Sequence, residues 1–264
     1  MAAARVKLTK RNRLDDVVLA LGLADNKKEA AAMIMAGEVL VNDQMRAKAD
    51  WPVSAGDRVV VRKKHPFVSR GAFKLEKAIQ AFAIVAAGAK VLDVGISTGG
   101  FSDFLLKNGA AEVLGVDVNV AQVDYGLRRD PRLRLLKKNA RFLQKQDVPF
   151  DPDLIIMDLS FISITAVLPA LSAFAKARIV TLVKPQFEAE RGQVGPGGLV
   201  RDARLRRDIV LKLKKRIEAL NFAVRGFTSA GLKGKKGNQE YFFLLQYGKK
   251  NSIDDKMILD AAEI

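Results

Sequence analysis

Apolar residues recur every three to four positions in RLDDVVLALGL (13–23) and NKKEAAAMIMAG (26–37), the spacing of two amphipathic helices. Asn26 followed three residues later by Glu29 has the spacing of a capping box, and Gly37 stands where a helix stop is expected. EVLVNDQ (38–44) and DRVVVR (57–62) then read as strands, the second behind the turn signal Ser54 to Asp57. These elements predict a small α+β domain over residues 1–63. The basic run RKKHPFVS follows, and its Pro66 suits a connector, so residues 64–69 are expected to be a linker.

From Gly71 onward the periodicity alternates between 3.6 and 2. Helices are predicted at 71–82, 99–109, 120–129, 163–175 and 203–220, and strands at 90–95, 112–118, 133–138, 153–160, 178–185, 222–230 and 240–248. Such alternation predicts an α/β fold, a mostly parallel seven-stranded sheet with crossover helices on both faces, over residues 70–249. The last two strands are expected to be antiparallel, because only GLKGKKGNQ separates them. Residues 250–264 read as a loosely attached C-terminal tail.

Composition narrows the chemistry. The 264 residues include no Cys and one His, His65, so disulfides and thiolate metal sites are excluded and metal catalysis is not expected. A formal net charge of +16 favours polyanionic partners. Residues 1–64 hold 13 Lys or Arg against 8 Asp or Glu, only part of that excess. The start of the chain lacks the apolar core of a secretory signal, and no apolar run is long enough to span a membrane, so a cytoplasmic protein without membrane partners is expected.

VLDVGISTGGFSD (91–103) runs from a buried strand into a glycine turn, yet lacks G-x-G-x-x-G spacing. In an open parallel sheet, ligands sit beyond the carboxyl ends of the strands, where Asp93, Gly95, Ser97, Thr98, Gly99 and Gly100 fall. Glycines let a ligand approach the backbone, and a carboxylate so close to the turn repels a pyrophosphate and attracts a cation. Asp117, ending the next strand, suits a ribose diol. S-adenosylmethionine has both an amino group and a ribose. Lys138 and Asn139, at the third strand's end, are candidates for the adenine side; tight packing of the glycine turn and solvated strand ends are the competing readings.

Lys74, Asp158 and Lys184 also stand at a helix start or strand ends, and Glu240 opens the last strand. Methylation of a hydroxyl needs the oxygen aligned with the sulfonium carbon and relieved of its proton. Without a histidine in these motifs the base would be a lysine, its pKa lowered by a second cation, with carboxylates orienting both. Lys184, Lys74, Asp158 and Glu240 meet that requirement.

SRGAFKL, DVGISTGGFSD, GVDV, DLSFIS, LVKPQFE and GNQEY, in that order, resemble the TlyA family of ribosomal RNA 2′-O-methyltransferases, which also carries the label hemolysin A. The resemblance covers nearly the whole chain. It implies a Rossmann-like class I methyltransferase domain of FtsJ type, an N-terminal RNA-binding domain like the S-four domain of ribosomal proteins, S-adenosyl-L-methionine as cofactor, and ribosomal RNA or ribosomal subunits as partner, with cytidine as a candidate target. The family's tetrad falls on Lys74, Asp158, Lys184 and Glu240, and its cofactor site on Asp93 to Gly100 and Asp117. Ile96 and Ala72 depart from the family pattern, where a smaller Ala and a second Gly are expected, and Glu188 belongs to the motif but not to the tetrad.

Arg13, Lys27, Lys28 and Arg46, with Arg201, Arg204, Arg206, Arg207 and residues 212–216, are candidate phosphate contacts. GQVGPGG (192–198) reads as a loop closing on substrate or as a plain linker. Two rival functions remain at this level: a non-catalytic RNA-binding factor in ribosome assembly, and the membrane-lytic protein of the older label.

Overall fold

The computed structural model describes residues 12–35, 37–61, 66–234, 236–249 and 251–261. The chain divides into two compact units, Met1–Pro66 and Phe67–Ile264.

The first unit runs β1 (Asn12–Arg13), α1 (Leu14–Ala20), α2 (Lys27–Met35), β2 (Val39–Val41), β3 (Gln44–Met45), β4 (Pro52–Val53) and β5 (Val59–Val61). β2 lies between β3 and β5, and β1 pairs with β4, all antiparallel. The helical periodicity buries Leu14, Val17, Val18, Ala30 and Ile34 against Val39, Val41 and Val53. The α2 cap forms from both sides: Glu29 N donates to Asn26 Oδ1 at 2.9 Å, and the Glu29 carboxylate accepts from Asp25 N at 2.8 Å. Arg13 and Lys27 are taken up by Asp15 and Asp16, and the Arg46 guanidinium lies 4.1 Å over the Trp51 ring.

The second unit continues α3 (Gly71–Ala81), β6 (Lys90–Val94), α4 (Gly100–Lys107), β7 (Glu112–Asp117), β8 (Leu133–Lys137), β9 (Leu154–Met157), α5 (Leu168–Leu171), β10 (Arg178–Val183), α6 (Pro185–Glu188), α7 (Ala203–Ala219), β11 (Phe222–Ser229), β12 (Tyr241–Tyr247) and α8 (Asp255–Ala261). Its seven strands lie in the order β11-β12-β10-β9-β6-β7-β8. β6 to β10 are mutually parallel, and β12 is antiparallel to both of its neighbours. Strand alternation sends Leu92, Val94, Ile155 and Met157 to the face covered by α7, and Val91, Leu154, Ile156 and Leu182 to the face covered by α3 and α4. The order reverses beside β6, which neighbours β7 on one side and β9 on the other, so a crevice opens at the carboxyl ends of β6 and β9.

Two expected helices are not formed as such. Residues 120–129 hold two 3₁₀ turns, Val120–Gln122 and Leu127–Arg129. Asn119 and Asp124 side chains accept from Ala121 N and Leu127 N, and Arg128 donates to the carbonyls of Val120 and Val123, so side chains take backbone partners that a helix would use. Residues 163–175 break into Ile164–Ala166, α5 and Ser172–Phe174. Pro169 has no N–H to donate, and the Ser172 hydroxyl bonds its carbonyl at 2.7 Å.

The C-terminal segment is not loose. Val224 N donates to Ser252 Oγ at 3.1 Å and Ile253 N to Val224 O at 2.7 Å, which covers the edge strand β11. Beyond them, Ile258 on α8 is fully buried in the core and Asp255 accepts from Lys214 at 2.8 Å. Of the expected linker, residues 64 and 65, His65 included, lie outside the described residues. Phe67 packs on Phe73 and Phe104, and Val68 N donates to Asp103 at 2.9 Å, so residues 67 and 68 are part of the second unit.

Candidate active site

A cavity of about 710 Å³ fills the crevice at the carboxyl ends of β6, β9 and β10. Asp93, Gly95, Ser97, Thr98 and Gly100 line one part of it, and Lys74, Asp158, Lys184 and Glu240 another.

Strand alternation turns Asp93 toward the α3 and α4 face, where it is 1% exposed. Ser102, in the first turn of α4, donates to its Oδ2 at 2.6 Å, and its Oδ1 has no partner. Burial pushes this carboxyl up to about 7; the Ser102 bond opposes that rise, and the charges of Asp158 and Asp117 add to it. A lone buried oxygen on a cavity wall is a place for a cationic or proton-donating group. Gly95 has φ 86°, and a Cβ there would stand 2.5 Å from the Asp158 carbonyl oxygen, so only glycine fits between β6 and the end of β9. Ile96 lines the same cavity and packs its side chain into the core over Gly115.

Asp117 and Asn139 stand apart from the cavity lining, as does Gly99. Both Asp117 oxygens are engaged, Oδ2 by Ser97 N at 3.0 Å and Oδ1 by Asn119 N at 2.9 Å, so this carboxylate shapes the glycine turn from the next strand. Asn139 accepts from Arg141 N at 3.0 Å and caps the Ala140–Phe142 turn, while Lys138 binds Asp147.

The four polar residues meet as two ion pairs. β10 and β12 are in register to the pair Val183–Tyr241, so Lys184 and Glu240 follow at the same end of the sheet. Glu240 nonetheless turns to Lys74 on α3, with Nζ 2.5 Å from Oε2. Lys184 Nζ stands 2.6 Å from Asp158 Oδ1, in ion-pair contact without hydrogen-bond alignment, and donates to Ser160 Oγ at 3.0 Å. Each lysine side chain is almost covered, so each pair works in a dielectric well below that of water.

Sequence reasoning passed over the aromatic rim. Phe161 lines the cavity, is 89% exposed and sits at φ 65°, with its ring 5.0 Å from Phe187. A bulky residue at positive φ in DLSFIS leaves no periodic signal, since the strain exists only in the folded loop. Glu188 is now placed: it is buried, accepts from Ser163 Oγ at 2.6 Å, Ile164 N at 2.8 Å and Arg216 at 2.7 Å, and lies outside the cavity lining. Burial raises its pKa, against the pull of those three partners. In GQVGPGG, Val194 and Gly198 reach the cavity wall.

A family model for FtsJ-like methyltransferases matches residues 67–247, and one for the S4 domain matches residues 12–59. The 16S/23S rRNA (cytidine-2′-O)-methyltransferase TlyA of Mycobacterium tuberculosis strain CDC 1551 is 42% identical over 259 residues, 96% of this chain and 97% of that one. The chain belongs to the TlyA family of FtsJ-like methyltransferases. Hemolysin A of Brachyspira hyodysenteriae, 39% identical, shares 87% of this chain and 97% of its own with the family member described here. A solved structure named a hemolysin, from Streptococcus thermophilus, superposes with a TM-score of 0.70 at 31% identity over 96% of each chain. Among the described residues of this TlyA-family chain, no helix is long and apolar enough to cross a membrane, and no cluster of metal-ligating side chains occurs.

Proposed function

We propose that this protein transfers the methyl group of S-adenosylmethionine to a ribose 2′-oxygen in ribosomal RNA, with cytidine as the target nucleotide. One observation carries the reading: two lysine–carboxylate ion pairs, Lys74–Glu240 and Lys184–Asp158, face the same cavity as the glycine turn with its half-satisfied Asp93.

The residues fit the cofactor. Asp93 offers an unpartnered buried oxygen for the amino group, and Gly95, Ser97, Thr98 and Gly100 line the cavity beside it, the glycines letting the turn pack closely on Asp158 and Ser69. When bound there, S-adenosylmethionine supplies an electrophilic methyl on a sulfonium. Lys184, after releasing its own proton to become the neutral amine, takes up the proton of the 2′-hydroxyl as the oxygen–carbon bond forms, and Asp158 orients it and balances the ammonium that results. Lys74, fixed by Glu240, holds a positive charge against the oxygen as it becomes anionic. Phe161 offers a flat apolar face for the base of a nucleotide extruded from its stack. The match of an S4 domain to residues 12–59 supports RNA as the polyanion that the charge of +16 favours.

The test is transfer of labelled methyl from S-adenosylmethionine to undermethylated large and small ribosomal subunits, assayed separately, with nuclease mapping of the labelled ribose. Label on a 2′-oxygen of cytidine is expected. Tight cofactor binding without label on either subunit overturns the reading in favour of a non-catalytic assembly factor.

A further inference from the structure

α7 carries seven Lys or Arg, and the fold neutralises several of them. Lys212 is neutralised by Glu190, Lys214 by Asp255 and Glu218, and Arg216 by Glu188. At the other end of that helix, Arg201 and Arg206 line a second cavity of about 310 Å³ with Lys233, Lys236 and Gln239. Among the described residues, no carboxylate lines it. None of its four cations has an ion-pair partner among the described residues. Cations without an ion-pair partner give up little on meeting an anion, whereas a paired cation must first give up its partner; of the four, Arg206 also feels the Asp202 carboxylate.

The cavity is built rather than incidental. Asn238, 5% exposed, accepts from Val200 N at 3.0 Å and donates to Gly198 O at 2.7 Å, tying the loop before α7 to the loop before β12. Arg206 is fixed by donating to the carbonyls of Val200 at 3.1 Å and Arg201 at 2.6 Å. Gly237, at φ 98°, closes the turn with open space where a Cβ would be, so a ligand can come close to the backbone. Lys233, Lys236 and Asn238 line both this cavity and the larger one, so the two share a wall.

We propose that this second cavity is a phosphodiester subsite that holds a backbone phosphate of the substrate strand beside the ribose being methylated; it rests on the reading of the larger cavity as a ribose methylation site. A ribose 2′-oxygen is joined to the phosphate on its own 3′-oxygen through C2′, C3′ and O3′ alone, so a strand whose ribose enters the larger cavity brings a phosphate to its wall. Holding that phosphate fixes the rotation of the sugar and so the line of attack of the 2′-oxygen. It gives affinity without reading a base.

The full-length chain is compared with Arg201→Gln, which alters only the second cavity, and with the double variant Lys233→Gln/Lys236→Gln. Binding of radiolabelled ribosomal subunits is measured across a salt series, beside the KM for those subunits in methyl transfer and the affinity for S-adenosylmethionine, which reports an intact fold. Both variants are expected to bind subunits about three- to tenfold more weakly, with the log–log salt slope reduced by about 0.7 for the lost phosphate contact, and with cofactor affinity unchanged in Arg201→Gln. Wild-type binding and slope in both variants overturn the subsite, even where wild-type turnover upholds ribose methylation. Weakened binding together with an absence of turnover in the wild type keeps the anion subsite and overturns the methylation reading instead.

Discussion

Lys74 and Glu240 are 166 positions apart in the chain and touch at 2.5 Å, joining the start of α3 to the start of β12 on the wall of the main cavity. The pair fixes a positive charge where β6, β9 and β10 end, and leaves Lys184 to Asp158. Chemistry and scaffold are therefore separable by substitution.

Lys184→Ala is expected to lower the rate of methyl transfer by about 10²- to 10⁴-fold, the range for losing a general base, while binding of S-adenosylmethionine and of ribosomal subunits stays near wild type. Single-turnover rates beside equilibrium binding check this. A loss confined to KM would remove Lys184 from the chemistry.

Glu240→Gln keeps the shape of the side chain and removes the charge that holds Lys74. It is expected to reduce kcat about 10- to 100-fold, with a smaller change in KM, because the lysine then loses the fixed position from which it stabilises the developing oxyanion. An unchanged kcat would make the pair purely structural.

Asp93 titrates near 7 in the folded protein and near 4 unfolded, so between those values the fold holds a proton that the unfolded chain has released. The stability this group contributes is full below about pH 4 and is lost as pH rises through about 7. Asp93→Asn removes that dependence. The stability of the variant relative to wild type is expected to rise by about 3 kcal/mol between pH 5 and pH 8 without cofactor, measured by urea unfolding. A pH-independent difference would refute the buried titration.

Under the proposed function, the same carboxyl is expected to make cofactor binding pH-dependent. A cationic amino group beside Asp93 favours the ionised form, so binding below pH 7 must expel a proton, and affinity is expected to fall up to about tenfold per pH unit on acidification below that value. Calorimetry in buffers of different ionisation enthalpy would show proton release at pH 6 and little at pH 8.5. Equal proton release at both would exclude Asp93 as the partner.

Ile258→Ala is expected to cost about 2–5 kcal/mol, the range for emptying a fully buried aliphatic site, with little effect on cofactor affinity. Denaturant unfolding checks it. A change below about 0.5 kcal/mol, the size of a surface substitution, would mean that α8 adds nothing to the core.

By itself, the amino-acid sequence determined the parts whose information is local. The alternation of apolar periods specifies the parallel sheet and its crossover helices, and the glycines and Asp93 mark the turn after the first strand, because burial pattern and backbone freedom are properties of a few neighbouring residues. Tertiary structure decided everything that depends on which partner is nearest. Residues 120–129 have helical spacing, but Asn119, Asp124 and Arg128 capture the backbone groups. The C-terminal segment looks polar and unattached until β11 proves to be an edge strand that Ser252 and Ile253 cover. The pairing of Lys74 with Glu240 and of Lys184 with Asp158 follows from strand order and register, which bring together side chains separated by up to 166 positions. The neutralisation of Lys212, Lys214 and Arg216 on α7 depends likewise on where Glu190, Asp255 and Glu188 arrive. A charge is visible in a sequence, but its counter-charge is chosen by the fold, because electrostatic energy depends on distance through space and not along the chain.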